Sequence, residues 1–361
     1  MKNEKRYLAI YEQVKDDIIE GRFANGSKLP SKRVMAENHG VSVITVEHAY
    51  ELLTEEGYII PKEKSGYFVA FDDKDIYTGT VSGSAKVPGS YFIPSIEHSD
   101  SNPQSFSYSI YAKTVRHVLS EYGPYIMEKS PKSGLLQLRT AIASYLERSR
   151  RVSVSPDQII IGAGAEYLYS LIVQTFGRDI IYGVESPSYQ KIAKVYTAGG
   201  ANIKMLKLGS DGIESDELWS GDMKILHITP YRSFPSGVTA SASKKREYLK
   251  WSKKTGGTII EDDFESEFTP SRKPEETIFS LDEEGHVIYI NTFTRTIGSY
   301  IRCAYMVLPQ KLLSLFGERT GFYECPVPTL EQLAIATLLD SGNFERHINK
   351  VRRQNRKKRV D

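Results

Sequence analysis

Two apolar runs of this sequence are each followed by residues that could take part in chemistry. One run leads into acidic side chains, and the other leads into a glycine-rich turn. The run Thr258–Glu261 leads directly into four acidic residues between positions 262 and 267. So many carboxylates at one strand end are costly unless a bound cation or water offsets their charge. A second run, at 158–161, enters the turn GAGAE at 162–166, whose backbone N–H groups could hold a phosphate at the beginning of a helix.

Two further loops come at the ends of predicted strands. The segment Glu185–Tyr189 places an aromatic side chain after a turn, and Thr229–Gly237 is a rigid, proline-containing loop. From Ser109 onward, apolar strands alternate with amphipathic helices, a pattern typical of a mostly parallel α/β sheet covered on both faces. Ligands of such sheets bind at the carboxyl ends of the strands, so the four loops together predict one site.

The segment 109–361 resembles the fold type I aminotransferase domain of MocR-type regulators. The resemblance rests on motifs in the family's order, namely Pro131–Arg139, the glycine-rich turn, ESPSY, TPYRSFPSG, EDDFESEF and NTFTRTIGSYIR. It implies a domain of the pyridoxal phosphate (PLP)-dependent transferase fold at 108–361, lacking most of the small C-terminal subdomain. In the family that subdomain carries the arginine that binds an amino acid's carboxylate, so an amino-acid effector would lose its usual anchor.

Three positions of the implied cofactor site differ from the family pattern. PLP chemistry needs an aspartate at the pyridine nitrogen, which Asp262 matches, and a lysine amine for the Schiff base. The lysine position holds Arg295, whose permanently protonated guanidinium cannot be the nucleophile. The family's tyrosine and histidine at two other positions are replaced by Phe264 and Arg232. We therefore expect no catalysis and no catalytic residue.

The rest of the implied cofactor site keeps the family's residues. The matching cofactor-binding positions are Gly164, Ala165, Tyr189, Asp262, Thr292, Thr294 and Arg302. Two outcomes remain open. Either PLP or another phosphate binds without a covalent link, or the cofactor is lost and the pocket is a relic filled by Arg295 paired with Asp262.

A different set of elements precedes this domain. Ser31 can cap a helix over Lys32–His39, and a second amphipathic helix begins after the turn Gly40–Ser42. Two β-rich runs then flank a turn at 61–66, and a helix over 7–18 comes before the whole group. This order of elements predicts a winged helix-turn-helix, which places one helix in the major groove of DNA with a loop beside it.

The stretch Tyr7–Ala70 resembles the winged helix-turn-helix of the GntR family, through LPSKRVMA, VSVITV and AY. The domain spans 1–71, and a linker rich in Gly, Ser and Pro follows at 72–107. The resemblance implies DNA contacts at Ser31, Arg33, Ser42, Thr45, Lys62, Lys64 and Gly66. Where the family usually has arginine after the serine that begins the recognition helix, this chain has Val43. An arginine at this position normally supplies a bidentate contact to a base or a phosphate, so we expect its replacement to alter the affinity for the operator or the preferred DNA sequence.

The charge of this first domain does not by itself indicate DNA binding. Residues 1–70 hold ten Lys or Arg and eleven Asp or Glu. Binding to DNA therefore needs a locally basic face rather than a basic domain. The alternative is that a small helical domain with a hairpin docks onto another molecule.

Length and composition limit the number of domains, the location of the protein and the chance of a metal site. A chain of 361 residues, 40% apolar and 25% charged, is long enough for two or three globular domains. It has no apolar run of about eighteen residues and no apolar segment of a signal peptide at its beginning, so we expect a cytoplasmic protein without membrane association. The two cysteines and seven histidines form no ligand motif, and we expect no metal.

These observations lead to one main hypothesis and two alternatives. The main hypothesis is a MocR-type transcription regulator that binds double-stranded operator DNA as a homodimer. Its aminotransferase-like domain would serve for dimerisation and for sensing a small-molecule effector, an amino compound or a vitamin B6 form, without catalysis. The alternatives are an active PLP-dependent aminotransferase and a truncated, non-functional regulator. The basic run at 346–359 is interpreted as the exposed beginning of a helix rather than as a nucleic-acid site.

Overall fold

The computed structural model describes residues 4–62, 65–71, 106–271 and 275–357. The chain separates into two compact units, Met1–Ser95 and Ile96–Asp361. Most of the predicted linker, at 72–105, lies outside the described residues, as does Lys64 in the predicted wing. Among the described residues, no helix combines the length and the apolar character needed to cross a membrane.

The first unit consists of three helices and a two-stranded antiparallel ribbon. In chain order its elements are α1 (Glu4–Ile19), α2 (Lys32–His39), α3 (Val43–Glu55), β1 (Ile59–Lys62) and β2 (Gly66–Val69). Their apolar faces meet in one core, which contains Ile10, Val14, Val46, Tyr50, Leu53 and Ile59. This is the winged helix-turn-helix that the sequence predicts.

Hydroxyl caps set the beginnings of both helices in the helix-turn-helix. Ser31 Oγ accepts a hydrogen bond from the N–H of Val34 at 3.3 Å, and Ser42 Oγ accepts one from the N–H of Thr45 at 3.2 Å. Gly40 ends α2 with φ +62°, a conformation that glycine adopts without the steric cost of a Cβ. The turn between the two helices is therefore determined by local sequence.

The second unit is built on a seven-stranded sheet in the order β3-β9-β8-β7-β6-β4-β5. The strands are β3 (Ile159–Gly162), β4 (Ile181–Ser186), β5 (Asn202–Lys207), β6 (Met223–Ile228), β7 (Thr258–Asp262), β8 (Val287–Thr292) and β9 (Ala304–Val307). Only β9 is antiparallel to its neighbours, β3 and β8. The mostly parallel α/β sheet is thus confirmed, and the two apolar runs named from the sequence, at 158–161 and Thr258–Glu261, correspond to β3 and β7.

Helices cover this sheet. They are α4 (Tyr108–Tyr122), α5 (Leu136–Arg150), α6 (Ala165–Phe176), α7 (Gln190–Ala198), α8 (Ser215–Leu218), α9 (Ala242–Thr255), α10 (Ile278–Leu281), α11 (Phe293–Thr296), α12 (Leu313–Thr320), α13 (Thr329–Asp340) and α14 (Asn343–Lys357). Helix α13 packs between α4 and α5 and is buried on most of its surface. Because a helix buried all round has no polar face, α13 shows no amphipathic period in the sequence.

The interpretation of the basic C-terminal run as an exposed helix is wrong in part. Helix α14 carries that run, but its residues Phe344, Ile348 and Val351 are buried in the same core as α5. The guanidinium of Arg352 donates to the carbonyl oxygen of Thr269 at 3.1 Å. The apolar residues between the basic ones make α14 part of the folded unit.

The acidic segment after β7 is stabilised by a cation from within the chain. Arg150, at the end of α5, has a side chain only 4% exposed, and its Nη2 lies 3.2 Å from Asp263 Oδ2 and 3.7 Å from Glu267 Oε1. The hydroxyl of Tyr289 also donates to Asp263, at 2.8 Å, and the amide of Asn291 donates to Glu267, at 2.6 Å. The carboxylate cluster therefore needs no external ion at these two positions.

Replacing Arg150 with Met should destabilise the second unit by about 3–5 kcal/mol, because two buried carboxylates would lose their counter-charge. Arg148→Met is the matched control, since its ion pair with Glu345 is half exposed and contributes about 0–1 kcal/mol. Both tryptophans, Trp219 and Trp251, lie in this unit, so tryptophan fluorescence during urea unfolding reports its stability. Equal losses in the two variants would contradict the role given to Arg150.

Candidate functional site

A cavity of about 600 Å³ lies at the carboxyl ends of the parallel strands of the second unit. The loops after β4, β6, β7 and β8 all contribute to its walls, as the sequence predicts for such a sheet. Six of the seven predicted cofactor-binding residues line it, namely Ala165, Tyr189, Asp262, Thr292, Thr294 and Arg302. The seventh, Gly164, lies against Arg302. Tertiary structure therefore brings the whole predicted set together.

Asp262 lies at the wall of this cavity and is only 5% exposed. The hydroxyl of Tyr169 donates to its Oδ2, and Nε2 of the buried His227 lies 3.5 Å from the same oxygen. Burial, together with the charge of Asp262, raises the pKa of Tyr169 well above its usual range, so the phenol keeps the proton that it donates. Neither Tyr169 nor His227 was singled out from the sequence, because apolar neighbours make both resemble core residues.

Arg302 and Glu166 line the first cationic end of the cavity, and Lys191 lies beside Glu166 without lining the cavity itself. Both cations bind Glu166, with Arg302 Nη2 at 3.1 Å and Lys191 Nζ at 2.6 Å from its two oxygens. The hydrogen bond from Lys191 lowers the pKa of Glu166, which keeps the carboxylate charged. Gly164 has φ +91°, and a Cβ there would lie 2.7 Å from Arg302 Nη2. Glycine is thus required for both its conformation and the approach of the guanidinium.

The two threonines of this end are already engaged in the backbone that shapes it. Thr292 Oγ1 accepts from the N–H of Thr294 at 3.2 Å and so caps α11. Thr294 Oγ1 donates to the carbonyl oxygen of Ile301 at 2.8 Å. These bonds hold the loop between β8 and β9, on which Arg302 lies, against the cavity.

Arg232 and Arg295 form the second cationic end. Both guanidinium groups bind the same oxygen of Glu265, at 3.5 Å from Arg232 Nη1 and 3.3 Å from Arg295 Nη2. The expected pairing of Arg295 with Asp262 is therefore wrong, because Glu265 lies nearer and Asp262 is occupied by Tyr169. Among the described residues that line the cavity there is no lysine. The cavity is therefore not filled by an Arg295–Asp262 pair, and loss of the cofactor stays a prediction.

The predicted DNA contacts of the first unit divide into exposed and internal positions. Arg33, Lys62 and Gly66 are exposed, and Lys62 Nζ lies 4.5 Å from the centre of the Phe68 ring. Ser31 and Ser42 are exposed, but their hydroxyls cap α2 and α3. Lys64 lies outside the described residues.

Of the six predicted DNA contacts that the structure describes, only Thr45 is buried. It is 8% exposed, and its hydroxyl lies 2.8 Å from Ser42 Oγ. The residues that the first turn of α3 does expose are Val43, at 41%, and Ile44, at 64%. Val43 is noted from the sequence only as a departure from the family pattern, and Ile44 is not predicted, because exposure of an apolar side chain at this turn depends on how α3 packs.

Comparison with known proteins identifies both units. Residues 6–69 match the model of the gntR family of bacterial regulatory proteins, and residues 121–361 match aminotransferase class I and II. The chain is 32% identical over 359 residues to YdeL of Bacillus subtilis, an uncharacterized HTH-type transcriptional regulator, covering 98% of this chain and 77% of that protein. It is 28% identical to MocR of Rhizobium meliloti, a probable rhizopine catabolism regulatory protein, over 95% and 73% of the two chains.

The chain belongs to the MocR-type regulators of the GntR family. Among solved structures, its second unit is similar to the kynurenine aminotransferase of Pyrococcus horikoshii in complex with PMP, with a TM-score of 0.63 and 23% identity. That match covers 70% of this chain, and the chain spans 65% of the length of the aminotransferase. The similarity shows that this MocR-type chain has the aminotransferase fold.

Glu185, at the end of β4, is a buried acid beneath the cavity of this MocR-type chain. Ser233 of the loop after β6 donates a hydrogen bond to it, which joins two of the loops that line the cavity. Burial raises the pKa of Glu185 to about 7. The folded state therefore disfavours its ionised form.

Glu185→Gln should remove part of the pH dependence of stability. The pKa of Glu185 is raised from an unfolded value of about 4.3, so its ionisation costs stability as pH rises from about 5 to 8, by up to about 3 kcal/mol. Urea unfolding at pH 5 and pH 8 should show a larger loss for the wild type than for the variant. Parallel losses in the two proteins would mean that Glu185 ionises as it does in water.

Proposed function

We propose that this chain is a DNA-binding transcription regulator whose aminotransferase-like unit binds a phosphate-bearing ligand without a covalent link and without catalysis. PLP or a related vitamin B6 form is the expected ligand class. The observation that carries the proposal is the cavity itself, which keeps Asp262 and the Arg302 end but has Arg295 on its wall. Arg295 is the residue that the family resemblance places at the lysine position.

The residues that line the cavity fit PLP bound without a covalent link. When bound, PLP supplies an electron-withdrawing ring, for which an aspartate at the ring nitrogen is the usual partner. Asp262 is suited to that role because it lies at the cavity wall, where the hydroxyl of Tyr169 donates to one of its oxygens and His227 Nε2 lies 3.5 Å from the same oxygen. Arg302 would hold the phosphate, at the end of the cavity that the backbone hydrogen bonds of Thr292 and Thr294 shape. Since guanidinium cannot form a Schiff base, Arg295 supports binding without reaction.

The surface of the first unit supports contact with double-stranded DNA. In a helix-turn-helix, residues at the beginning of the recognition helix contact base edges. Val43 and Ile44 are exposed there, and apolar side chains contact the methyl group of thymine in the major groove. Arg33 and Lys62 are exposed cations suited to phosphates. Two such units in a homodimer would double these contacts and set the spacing of the half-sites, and a regulator of this kind would act in the cytoplasm.

Titration with PLP should separate this function from its alternatives. At a ligand concentration about a hundredfold above Kd, the wild type should melt roughly 5 °C higher, without gaining the visible absorption of a lysine-linked PLP. Arg295→Lys should gain that absorption, and Arg246→Lys, an exposed change on α9, should not. Visible absorption in the wild type together with turnover of an amino donor would support the aminotransferase, and the absence of any response in both proteins would support a lost cofactor site.

Arg33→Met should weaken DNA binding mainly through a phosphate contact. The test uses a duplex that the wild type selects from a random pool, with the affinity measured at several salt concentrations. The slope of log K against log salt should become less negative by about one per bound protomer. Arg22→Met removes the same charge from a guanidinium already paired with Asp17 and Glu20, and should leave the slope unchanged. An unchanged slope in Arg33→Met would remove Arg33 from the interface, and failure to select any duplex would contradict DNA binding.

A further inference from the structure

The charges around the cavity are arranged in the same way at its two ends. At one end Arg302 and Lys191 share the carboxylate of Glu166, and at the other Arg232 and Arg295 share that of Glu265. Each end therefore has two cations for one anion. A single phosphate would neutralise the excess charge of the first end only.

The ion pairs at the Glu265 end are weak enough to exchange for a ligand. Their lengths, 3.3 and 3.5 Å, exceed the 2.7–2.9 Å typical of charge-assisted hydrogen bonds. Both arginine side chains are 52% exposed, whereas that of Glu265 is 16% exposed. Each guanidinium has five N–H donors and gives one of them to Glu265, so donors remain for a second acceptor.

The backbone at Arg232 is in an unusual conformation that places this side chain at the cavity. Its φ is +50°, a left-handed value that residues other than glycine adopt at a cost. The N–H of Arg232 donates to Thr239 Oγ1 at 3.1 Å, which helps to hold the loop in this form. Such local strain is common where a side chain is positioned for a ligand.

Asp262 lies among the lining residues together with the rings of Tyr189 and Phe264. A carboxylate beside aromatic side chains suits a flat ring that carries a protonated nitrogen. The whole cavity therefore combines a cationic end, an acidic and aromatic wall, and a second cationic end.

We propose that the cavity takes a doubly anionic ligand, a phosphate ester of a nitrogen-containing ring that also carries a carboxylate. The phosphate would bind at the Arg302 end and the carboxylate would bind Arg232 and Arg295. This inference rests on the proposed function in one respect, that the cavity binds a ligand. It differs from that function in predicting that a carboxylate is preferred over the aldehyde of PLP, because guanidinium pairs with a carboxylate through two parallel hydrogen bonds.

Calorimetric titration with two matched ligands tests the inference. PLP and 4-pyridoxic acid 5′-phosphate share their ring and phosphate and differ in having an aldehyde or a carboxylate. The wild type should bind the carboxylate compound roughly tenfold more tightly, the value expected for charge-assisted hydrogen bonds at a partly exposed site. Arg295→Met and Arg232→Met should each bring the two affinities to within about threefold of each other.

Two further variants complete the test. Glu265→Gln removes the competing carboxylate and should strengthen binding of the carboxylate compound, while Arg246→Met should keep the wild-type preference. Equal affinities in the wild type, or a preference that survives in both arginine variants, would overturn the second anionic site while leaving the phosphate site in place. If neither compound binds the wild type, the proposed function fails as well, so the two failures are distinguishable.

Discussion

The buried ion pairs of Arg150 with Asp263 and Glu267 are the interaction on which the rest of the site depends. They fix both ends of the segment between β7 and the 3₁₀ turn at 266–268. That segment presents Asp262 and Glu265 to the cavity on either side of Phe264. Carboxylates so close together repel one another in a low-dielectric interior unless a cation is fixed among them. Arg150 supplies that cation from α5, so the polar wall of the cavity is a product of packing between a helix and a strand end.

With Asp263 and Glu267 paired with Arg150, the remaining charged side chains of this region line the cavity. Asp262 is held by a buried phenol and Glu265 by two exposed guanidinium groups, so the acids at this wall differ in how readily they exchange partners. Charge–charge interactions are stronger where water is excluded, so a few charged residues can determine which ligand such a cavity would prefer. The aminotransferase fold of this chain thus has a cavity at its strand ends, with Arg295 on the wall at the position where the family resemblance implies a lysine. Binding and catalysis are separable because residues at the strand ends position a ligand, whereas a single side chain supplies the reactive group.

The first unit shows the same division between structural and exposed groups. The hydroxyls of Ser31 and Ser42 cap helices, and Thr45 is internal, so these three residues shape the helix-turn-helix as much as they could contact DNA. Val43 and Ile44 are the exposed apolar residues at the beginning of α3. In a helix-turn-helix this part of the recognition helix contacts base edges in the major groove. A recognition helix of this kind would read thymine methyl groups and groove shape more than the hydrogen-bond pattern of guanine.

The sequence by itself determined both folds, the caps at Ser31 and Ser42 and the loops that meet at the cavity, because these depend on local propensity, periodicity and motif order. Tertiary structure alone decided which charges meet. Arg295 pairs with Glu265 rather than Asp262, Arg150 lies about a hundred positions away from the acids it neutralises, and α13 and α14 complete the core. Electrostatic partners depend on distance and burial in three dimensions, and a basic residue's sequence position gives neither.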